Sequence, residues 1–395
     1  MSIMQCVERF TQLYNRDPDG ISFCPYRICP IGAHSDHQFG KITGLAIDKG
    51  IHIAYGVKQN GVIEAISLQF NKRAQFHINS VPVVKENDWA DYLRGCVMEL
   101  SKKYPLHLGL CCVIDGSLPI GGLSSSATVI IAFLTALCRV NGIYLSEKEL
   151  ILTAMRAENN YVGVACGKLD QSCEIYSKKD HLLYLDTLDD TYELIPTASN
   201  MKPYEIAIFF SGIERTLAGT KYNMRVDECR SAAYALKALS GMAYGKFNET
   251  YMRDVPRNVY EQYKDRLPDS WRKRAEHWYS EYDRVVQGAE AWRRGDIDAY
   301  GQLCFASGES SIVNWETGSD ELIELYNILR NTDGVYGARF SGAGFKGCCM
   351  ALIDPDYREL VCNGVTAAYL KAFPALEGKY SAHICHSADG VSLTK

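Results

Sequence analysis

The sequence predicts an α+β fold in two domains. Strand patterns dominate the first part of the chain, helical patterns dominate 222–330, and strands return near the end. The chain has 395 residues, which is enough for two domains with hydrophobic cores. The pattern is interrupted at 195–203, around Pro196. We therefore predict an N-terminal domain over 1–200 and a C-terminal domain over 201–395.

The composition is that of a globular protein, with 47% hydrophobic and 23% charged residues. A net charge of -5 argues against nucleic acid as the main partner. The longest apolar run, at 127–138, is far shorter than the roughly 20 residues that a membrane-spanning helix needs. The 15 cysteines include no C-x-x-C pair, and no secretory signal starts the chain. We expect a reduced, cytoplasmic protein; no pattern indicates an oligomeric state.

The N-terminal half begins with a helix and continues with strands. The first fourteen residues have a helical pattern. Strand patterns follow at 44–58 and 61–70, and Asn60–Gly61 between them is a strong β-hairpin signal. A further strand at 106–114 leads into a loop rich in glycine and serine.

Helices and strands both continue beyond that loop. The apolar run at 127–137 predicts a buried helix. Ser146 and Glu149 form a capping box at the start of a helix that runs to about Tyr161. A last helix is predicted at 356–373, and further strand patterns lie at 181–186, 204–211, 337–353 and 380–385.

The loop at 116–126 passes from glycine and proline to three consecutive serines before the apolar helix. Such a loop can bring backbone N–H groups against a phosphate, and the helix N-terminus adds partial positive charge. The plainer alternative is a glycine turn before a serine-capped core helix. The P-loop pattern G-x-x-x-x-G-K-[ST] is absent. The residues expected to surround a phosphate are Gly121, Gly122, Ser124, Ser125 and Ser126.

Two other segments concentrate residues suited to binding. Before the first long strand, segment 25–37 (PYRICPIGAHSDH) contains Arg27, His34, Asp36 and His37. A solvated loop would explain these polar residues, but not the apolar residues between them. Segment 337–347 (GARFSGAGFKG) has glycines typical of close backbone approach or of a tight turn.

Together, the three segments resemble the signature motifs of the GHMP small-molecule kinases. The first is similar to the galactokinase sequence G-R-x-N-L-I-G-E-H-T-D-Y, the second to P-x-G-x-G-L-S-S-S-A, and the third to G-x-R-x-[ST]-G-x-G-F-G-G-C. Further matches at 89–95, 166–171 and 222–229 extend the resemblance over nearly the whole chain. The residue sequences of the first and third segments are most similar to those of the uronic-acid branch, the galacturonokinases.

The resemblance implies phosphoryl transfer from ATP, with Mg²⁺, to the anomeric hydroxyl of a hexose. It implies an N-terminal domain of ribosomal S5 domain 2 type and a ferredoxin-like C-terminal domain, with the site between them. The expected product is D-galacturonate 1-phosphate. The alternatives are a galactokinase acting on D-galactose and a non-catalytic sensor of sugar and ATP, which the intact serines and Asp170 disfavour.

The resemblance also assigns roles to residues around the sugar. Asp170 matches the family's catalytic base on the C1 hydroxyl, and Arg27 matches the arginine beside it. A purely structural ion pair is the alternative for this couple. The matches to sugar-contacting positions are Ala33, His34, Asp36 and Tyr222.

Other matches concern the nucleotide and the metal. Ser126 matches the magnesium-ligating serine, and Glu158 matches the second metal ligand. A serine at a helix start and a surface carboxylate are the simpler alternatives. Trp89 lies where the family lines its adenine pocket, although an ordinary core tryptophan would also fit this position.

Ala33 stands where galactokinases have a glutamate that meets the C6 hydroxymethyl group of galactose. Galacturonate has a carboxylate at C6, and two like charges about 4 Å apart at an effective dielectric near 20 repel by about 4 kcal/mol. Alanine removes this repulsion, which favours an acidic sugar. The alternative is a galactokinase that contacts C6 through another residue. A positive partner for the carboxylate is expected, and the candidates are His37 and Arg215.

Three further departures from the family motifs lie in the loop at 116–126, at position 26 and at position 346. The second motif is one residue short at 119–123, which leaves the identity of its donors open. Tyr26 replaces the family glycine before Arg27, and Lys346 interrupts the F-G-G sequence. Lys346 either adds a positive charge near the phosphates or points to solvent, and we expect solvent.

Overall fold

The computed structural model describes residues 2–213 and 218–394, and within them it forms two β-sheets with helices packed around them. The strands of the first sheet are β1 (Gly20–Ile28), β2 (Lys41–Lys58), β3 (Val62–Ser67), β4 (Lys72–His77), β5 (Gly109–Gly116), β6 (His181–Asp186), β7 (Tyr192–Pro196) and β12 (Ser392–Thr394). The strands of the second sheet are β8 (Glu205–Phe210), β9 (Val335–Phe340), β10 (Cys348–Ile353) and β11 (Ser381–Cys385).

Eleven α-helices lie in the described ranges. They are α1 (Ser2–Tyr14), α2 (Asp91–Ser101), α3 (Ser125–Val140), α4 (Glu147–Arg156), α5 (Leu169–Tyr176), α6 (Ala218–Ser240), α7 (Arg257–Tyr263), α8 (Asp269–Arg293), α9 (Ile297–Val313), α10 (Asp320–Arg330) and α11 (Arg358–Ala372). The predicted capping box at Ser146 is confirmed. The helix that it starts changes at Ala157 into a π-helical turn, Ala157–Val162, a feature often found at functional sites.

The first sheet has the strand order β12-β1-β2-β5-β3-β4, with β6 on the start of β2 and β7 on β6. The hairpin predicted at Asn60–Gly61 is wrong, because β5 lies between β2 and β3 and runs parallel to β3. Nearly every residue of β5 is buried, and such an apolar strand is more stable with a neighbour on both sides. The hairpin of this region joins β3 to β4 instead.

The second sheet is antiparallel, with the order β11-β8-β10-β9. Along the chain, one strand and a group of helices precede two strands, a helix and a final strand. This β-α-β-β-α-β order is the ferredoxin-like arrangement. The predicted α+β fold class is therefore confirmed.

Helix α3 links the core to the surface where the serine-rich loop ends. It is apolar on most of its circumference, and residues 127–134 are all buried. A helix of this kind is stable only inside the core, and α3 packs against β1, β2 and α2. This burial fixes its N-terminus, and with it the position of Ser125 and Ser126.

The two halves of the chain share one hydrophobic cluster, in which Ile130 of α3 and Ile208 of β8 both take part. The last strand, β12, pairs with β1 and so belongs to the first sheet. The division of the chain at residue 200 remains a prediction. Among the described helices, none combines the length and the apolar character that crossing a membrane requires.

Candidate active site

A cavity of about 340 Å³ lies where the β1–β2 connection, the starts of α3 and α5, the π-helical turn and the β9–β10 turn meet. All three sequence motifs contribute to its wall. The predicted site residues that line it are Arg27, Ala33, His34, Asp36, Gly122, Ser124, Ser125, Ser126, Glu158, Asp170 and Tyr222.

Two predicted residues do not line this cavity. Trp89 packs against the core, with its ring 6.3 Å from the ring of Phe70. Tyr92, three residues later, does line the cavity. Gly121 faces the β9–β10 turn instead, where a Cβ added to it would lie 3.2 Å from Gly347 Cα. Sequence reasoning missed Tyr92, which lies in the first turn of α2, three residues after Trp89.

Arg27, near the end of β1, connects the motifs to one another. Its Nε donates to Asp170 Oδ1 at 2.8 Å. Its Nη1 donates to the Gly122 carbonyl at 3.3 Å and to Ser341 Oγ at 3.5 Å, and its Nη2 donates to the Ser124 hydroxyl. Only 4% of the Arg27 side chain is exposed. A buried guanidinium requires a partner for its donors, and here the partners come from several motifs.

Asp170 lies in the first turn of α5, where a carboxylate is favoured by the helix dipole. A quarter of its side chain is exposed, at 25%, in contrast to its partner Arg27. The carboxylate faces the cavity between Arg27 and the serine loop. It can therefore accept a hydrogen bond from a hydroxyl group of a bound ligand.

Asp36 ties the β1–β2 connection to the start of α5. Its Oδ2 accepts the backbone N–H of Leu169 at 3.1 Å. Burial raises the pKa of Asp36 to about 6, and the nearby Asp170 charge also raises it, against the lowering effect of the Leu169 N–H. Gly167 packs directly on this carboxylate and leaves no space for a side chain.

His34 is held in the cavity wall by aromatic contacts. Its ring stacks on Trp315 with centroids 4.9 Å apart and an angle of 6°, and it lies 6.4 Å from the ring of Tyr222. Burial holds the pKa of His34 well below its usual value, so the imidazole is neutral. Trp315 follows α9 and belongs to none of the motifs, so sequence reasoning did not find it.

His37 and Arg215 are the candidates for a positive partner of a C6 carboxylate, and only His37 lies among the described residues. His37 is buried but does not line the cavity. Burial, with a contribution from the charge of Arg230, lowers the pKa of His37 to about 3. His37 is therefore neutral at neutral pH and supplies no positive charge. Arg215 lies outside the described residues.

Glu158 lies in the π-helical turn and lines the cavity together with Ser126 at the start of α3, whose hydroxyl lowers the pKa of the Glu158 carboxyl. It is buried, so the alternative of a surface carboxylate is wrong. Its other contacts are weak: Cys166 Sγ donates at 3.6 Å and Gln171 Nε2 at 3.4 Å. Burial and the Asp170 charge raise the pKa of Glu158 to about 7.

This pair of oxygen donors suits a magnesium ion. Mg²⁺ usually binds through one or two carboxylates together with phosphate oxygens and water. Within the described part of the chain, no three His, Cys, Asp or Glu side chains form a metal-binding group. Ser126 and Glu158 therefore fit a cation that is held jointly by the protein and a phosphate ligand.

The serine-rich loop, residues 116–126, packs on the β9–β10 turn through backbone atoms. Gly121 and Gly122 have φ of +129° and +82°, in the region that favours glycine. A Cβ at Gly347 would lie 2.7 Å from the carbonyl carbon of Gly121, and a Cβ at Gly342 would lie 2.9 Å from the Gly122 oxygen. The shortened second motif is thus supported by the third motif.

Lys346 lines the cavity, so the expectation that it points to solvent is wrong. It lies beside Gly347, whose backbone contacts Gly121 of the serine-rich loop. Its side chain is half-buried, and it forms no ion pair with any described residue. The cavity wall therefore includes a positively charged side chain on the side of the serine-rich loop.

Known proteins similar to this sequence cover nearly the whole chain. A family model described as GHMP kinases N terminal domain matches residues 91–178, and one described as GHMP kinases C terminal matches residues 289–371. The sequence is 38% identical to a galacturonokinase of Arabidopsis thaliana, over 98% of this chain and 96% of that protein. It is 31% identical to a galactokinase of Roseiflexus sp. (strain RS-1), over 97% and 95% of the two chains.

The fold is also that of a solved structure. The crystal structure of Lactococcus lactis galactokinase complexed with galactose matches with a TM-score of 0.89 and 24% identity, covering 99% of this chain and 100% of that chain. This likeness confirms the two-domain fold predicted from the sequence.

We predict that Gly347→Ala destabilises the protein and displaces the serine-rich loop. Gly347 has a φ of +101°, so alanine adds both backbone strain and the contact with Gly121, at a cost of about 1–3 kcal/mol. Thermal unfolding checks this. Gly364→Ala is the matched control, because a Cβ there meets nothing within 4 Å. Equal unfolding temperatures for Gly347→Ala and the wild type would contradict the packing described here.

Proposed function

The chain belongs to the GHMP kinase family, and we propose that it transfers the terminal phosphoryl group of ATP to the C1 hydroxyl of D-galacturonate. The products are D-galacturonate 1-phosphate and ADP. The observation that carries the proposal is the pairing of Arg27 with both Asp170 and Ser124 in one cavity. This pairing supports a site in which a hydroxyl group and a phosphate approach each other.

In the proposed reaction, the C1 oxygen forms a bond to the γ-phosphorus while the bond between that phosphorus and the β,γ-bridging oxygen breaks. The proton of the C1 hydroxyl passes to the Asp170 carboxylate, which lies in the cavity wall. For the rest of phosphoryl transfer, the protein positions the reacting groups and neutralises the phosphate charge. Arg27, held by its ion pair, contributes to both.

The triphosphate is proposed to bind against the N-terminus of α3 and the serine loop, where Gly122, Ser125 and Ser126 line the cavity. Lys346 adds a positive charge on the same side. When Mg²⁺ is bound, Ser126 and Glu158 would hold it, and the ion supplies neutralisation of phosphate charge.

The acidic sugar is favoured by Ala33, which lines the cavity together with the apolar side chains of Cys29 and Leu169. No carboxylate at position 33 repels a C6 carboxylate. The similarity to a protein named galacturonokinase supports the same substrate. Galactose is the second candidate, because a galactokinase is 31% identical over 97% of the chain.

We further propose that the protein is cytoplasmic. All of its cysteines are free thiols, and most are buried. Burial raises the pKa of thiols such as Cys173 and Cys349, which keeps them protonated and unreactive. Free thiols in this number suit a reducing compartment.

An ADP-release assay with galacturonate, galactose and glucuronate, with and without EDTA, tests the function. The proposal predicts turnover of galacturonate at the highest kcat/KM and loss of turnover when Mg²⁺ is removed. Turnover of galactose alone would contradict the assignment of an acidic sugar. Turnover of none of the sugars would favour a non-catalytic sensor.

Asp170→Asn is predicted to lower kcat about a hundredfold or more, since an amide cannot take the hydroxyl proton. The substitution keeps the size of the side chain but removes the negative partner of the buried Arg27, so the chain is expected to fold with a lowered unfolding temperature. Steady-state kinetics and thermal unfolding measure the two effects. Asp189→Asn, on the turn between β6 and β7, is a matched control that keeps full activity. Near-normal turnover of Asp170→Asn would rule out the base.

Ala33→Glu is predicted to raise the KM for galacturonate by at least about a hundredfold, because the added carboxylate repels the one at C6. Galactose use is expected to change much less. Ala33→Gln has the same size without the charge and serves as the control. If Ala33→Glu and Ala33→Gln impaired both sugars equally, position 33 would not face C6.

A further inference from the structure

Helix α8, from the C-terminal half of the chain, holds the backbone of the sugar loop, defined here as residues 29–40 between β1 and β2. His277 Nε2 lies 3.0 Å from the Ala33 carbonyl oxygen. Glu281 Oε1 accepts the Gly32 N–H at 2.6 Å. The neighbouring Trp278 donates from its indole nitrogen to the Ser35 carbonyl at 3.3 Å. One helix therefore fixes the loop at three successive points.

The contact of His277 is defined at both ring nitrogens. A carbonyl oxygen only accepts hydrogen bonds, so Nε2 carries the ring proton and donates the hydrogen bond to the Ala33 carbonyl. Nδ1 lies 2.9 Å from Ser310 Oγ, and Ser310 in turn accepts from Asn314 Nδ2 at 3.2 Å. Burial lowers the pKa of His277 to about 4, so the ring is neutral and its one donor is directed to the loop.

Glu281 is anchored from the third motif. Arg339 of β9 and Arg284 of α8 both pair with it, at 3.4 Å and 2.7 Å. Burial alone would raise the pKa of Glu281, but the nearby positive charges lower it to about 2. Glu281 and Arg339 are completely buried. The Gly32 N–H thus bonds to an ionised carboxylate that cannot move without breaking a buried ion pair.

The loop needs such support. Gly32 and His34 both have positive φ, of +111° and +63°, and the second is a strained conformation for a residue with a side chain. A strained segment persists only where its surroundings determine it. The contacts with α8 are made at Gly32, Ala33 and Ser35, and Ala33 and His34 both line the cavity.

We propose that His277 and Glu281 are positioning residues that set the affinity of the site for its sugar through the backbone of residues 32–35. Neither of them lines the cavity, so they act on the sugar only through the loop. This inference rests on the proposed function. It assigns control of sugar binding to a helix outside the three motifs.

His277→Asn and His277→Gln form the decisive pair of variants. The Asn amide corresponds to the Nδ1 side of the ring and keeps the Ser310 contact, while the longer Gln amide reaches the Nε2 position and can still donate to Ala33. His277→Asn is expected to raise the KM for galacturonate about tenfold, as loss of a buried hydrogen bond does, with the KM for ATP unchanged. His277→Gln is expected to restore most of the affinity.

Gln287→Ala, at an exposed position of α8, is the control and is expected to behave as the wild type. If His277→Asn is not folded, Trp278→Phe keeps a ring but removes the Ser35 donor, and the same split between the two KM values is expected. A fall in kcat without a change in either KM, or equal effects of Asn and Gln, would overturn the inference. Absence of any sugar turnover by the wild type would instead overturn the proposed function, and this inference with it.

Discussion

The buried guanidinium of Arg27 is the constraint on which the site depends. Its partners are Asp170, the Gly122 carbonyl and the hydroxyls of Ser124 and Ser341, which lie 95 to 314 residues away along the chain. Because an unpaired buried charge costs several kcal/mol, these segments must come together for the fold to be stable. The same contacts place the Asp170 carboxylate beside the serine-rich loop. Stability and the geometry for catalysis thus have a common origin in this side chain.

The cavity combines carboxyl groups with the proposed binding site for phosphates, so its charge has to be balanced. Burial raises the pKa values of Asp36 and Glu158 to about 6 and about 7, which favours their neutral forms. Positive charge comes from the N-terminus of α3 and from Lys346, while Arg27 is already paired. The carboxyl groups of the cavity therefore repel a negative ligand less than they would if all of them were ionised. Alanine at position 33 adds no negative charge to the cavity wall.

The sequence predicted those site residues whose chemical type and spacing together form a short motif. Arg27, Ser126 and Asp170 lie in short motifs whose residue types are needed together, and the structure brings them to one cavity. His277 and Trp315 could not be found this way, since a single polar or aromatic residue outside any motif resembles an ordinary core residue. The turn at Asn60–Gly61 indicates only that the chain reverses, and strand β5, from about 50 residues further along, takes the neighbouring place. Such long-range pairing depends on burial, which no local signal reports.

The central claim is that the cavity directs a phosphoryl group from ATP to the C1 oxygen of an acidic hexose beside Asp170. Proton and phosphorus NMR of the product formed from ATP and galacturonate tests this claim most directly. The account predicts a phosphomonoester resonance coupled to the anomeric proton, with Asp170→Asn forming almost none of it. A phosphate on another oxygen, or release of inorganic phosphate without a sugar phosphate, would contradict the account.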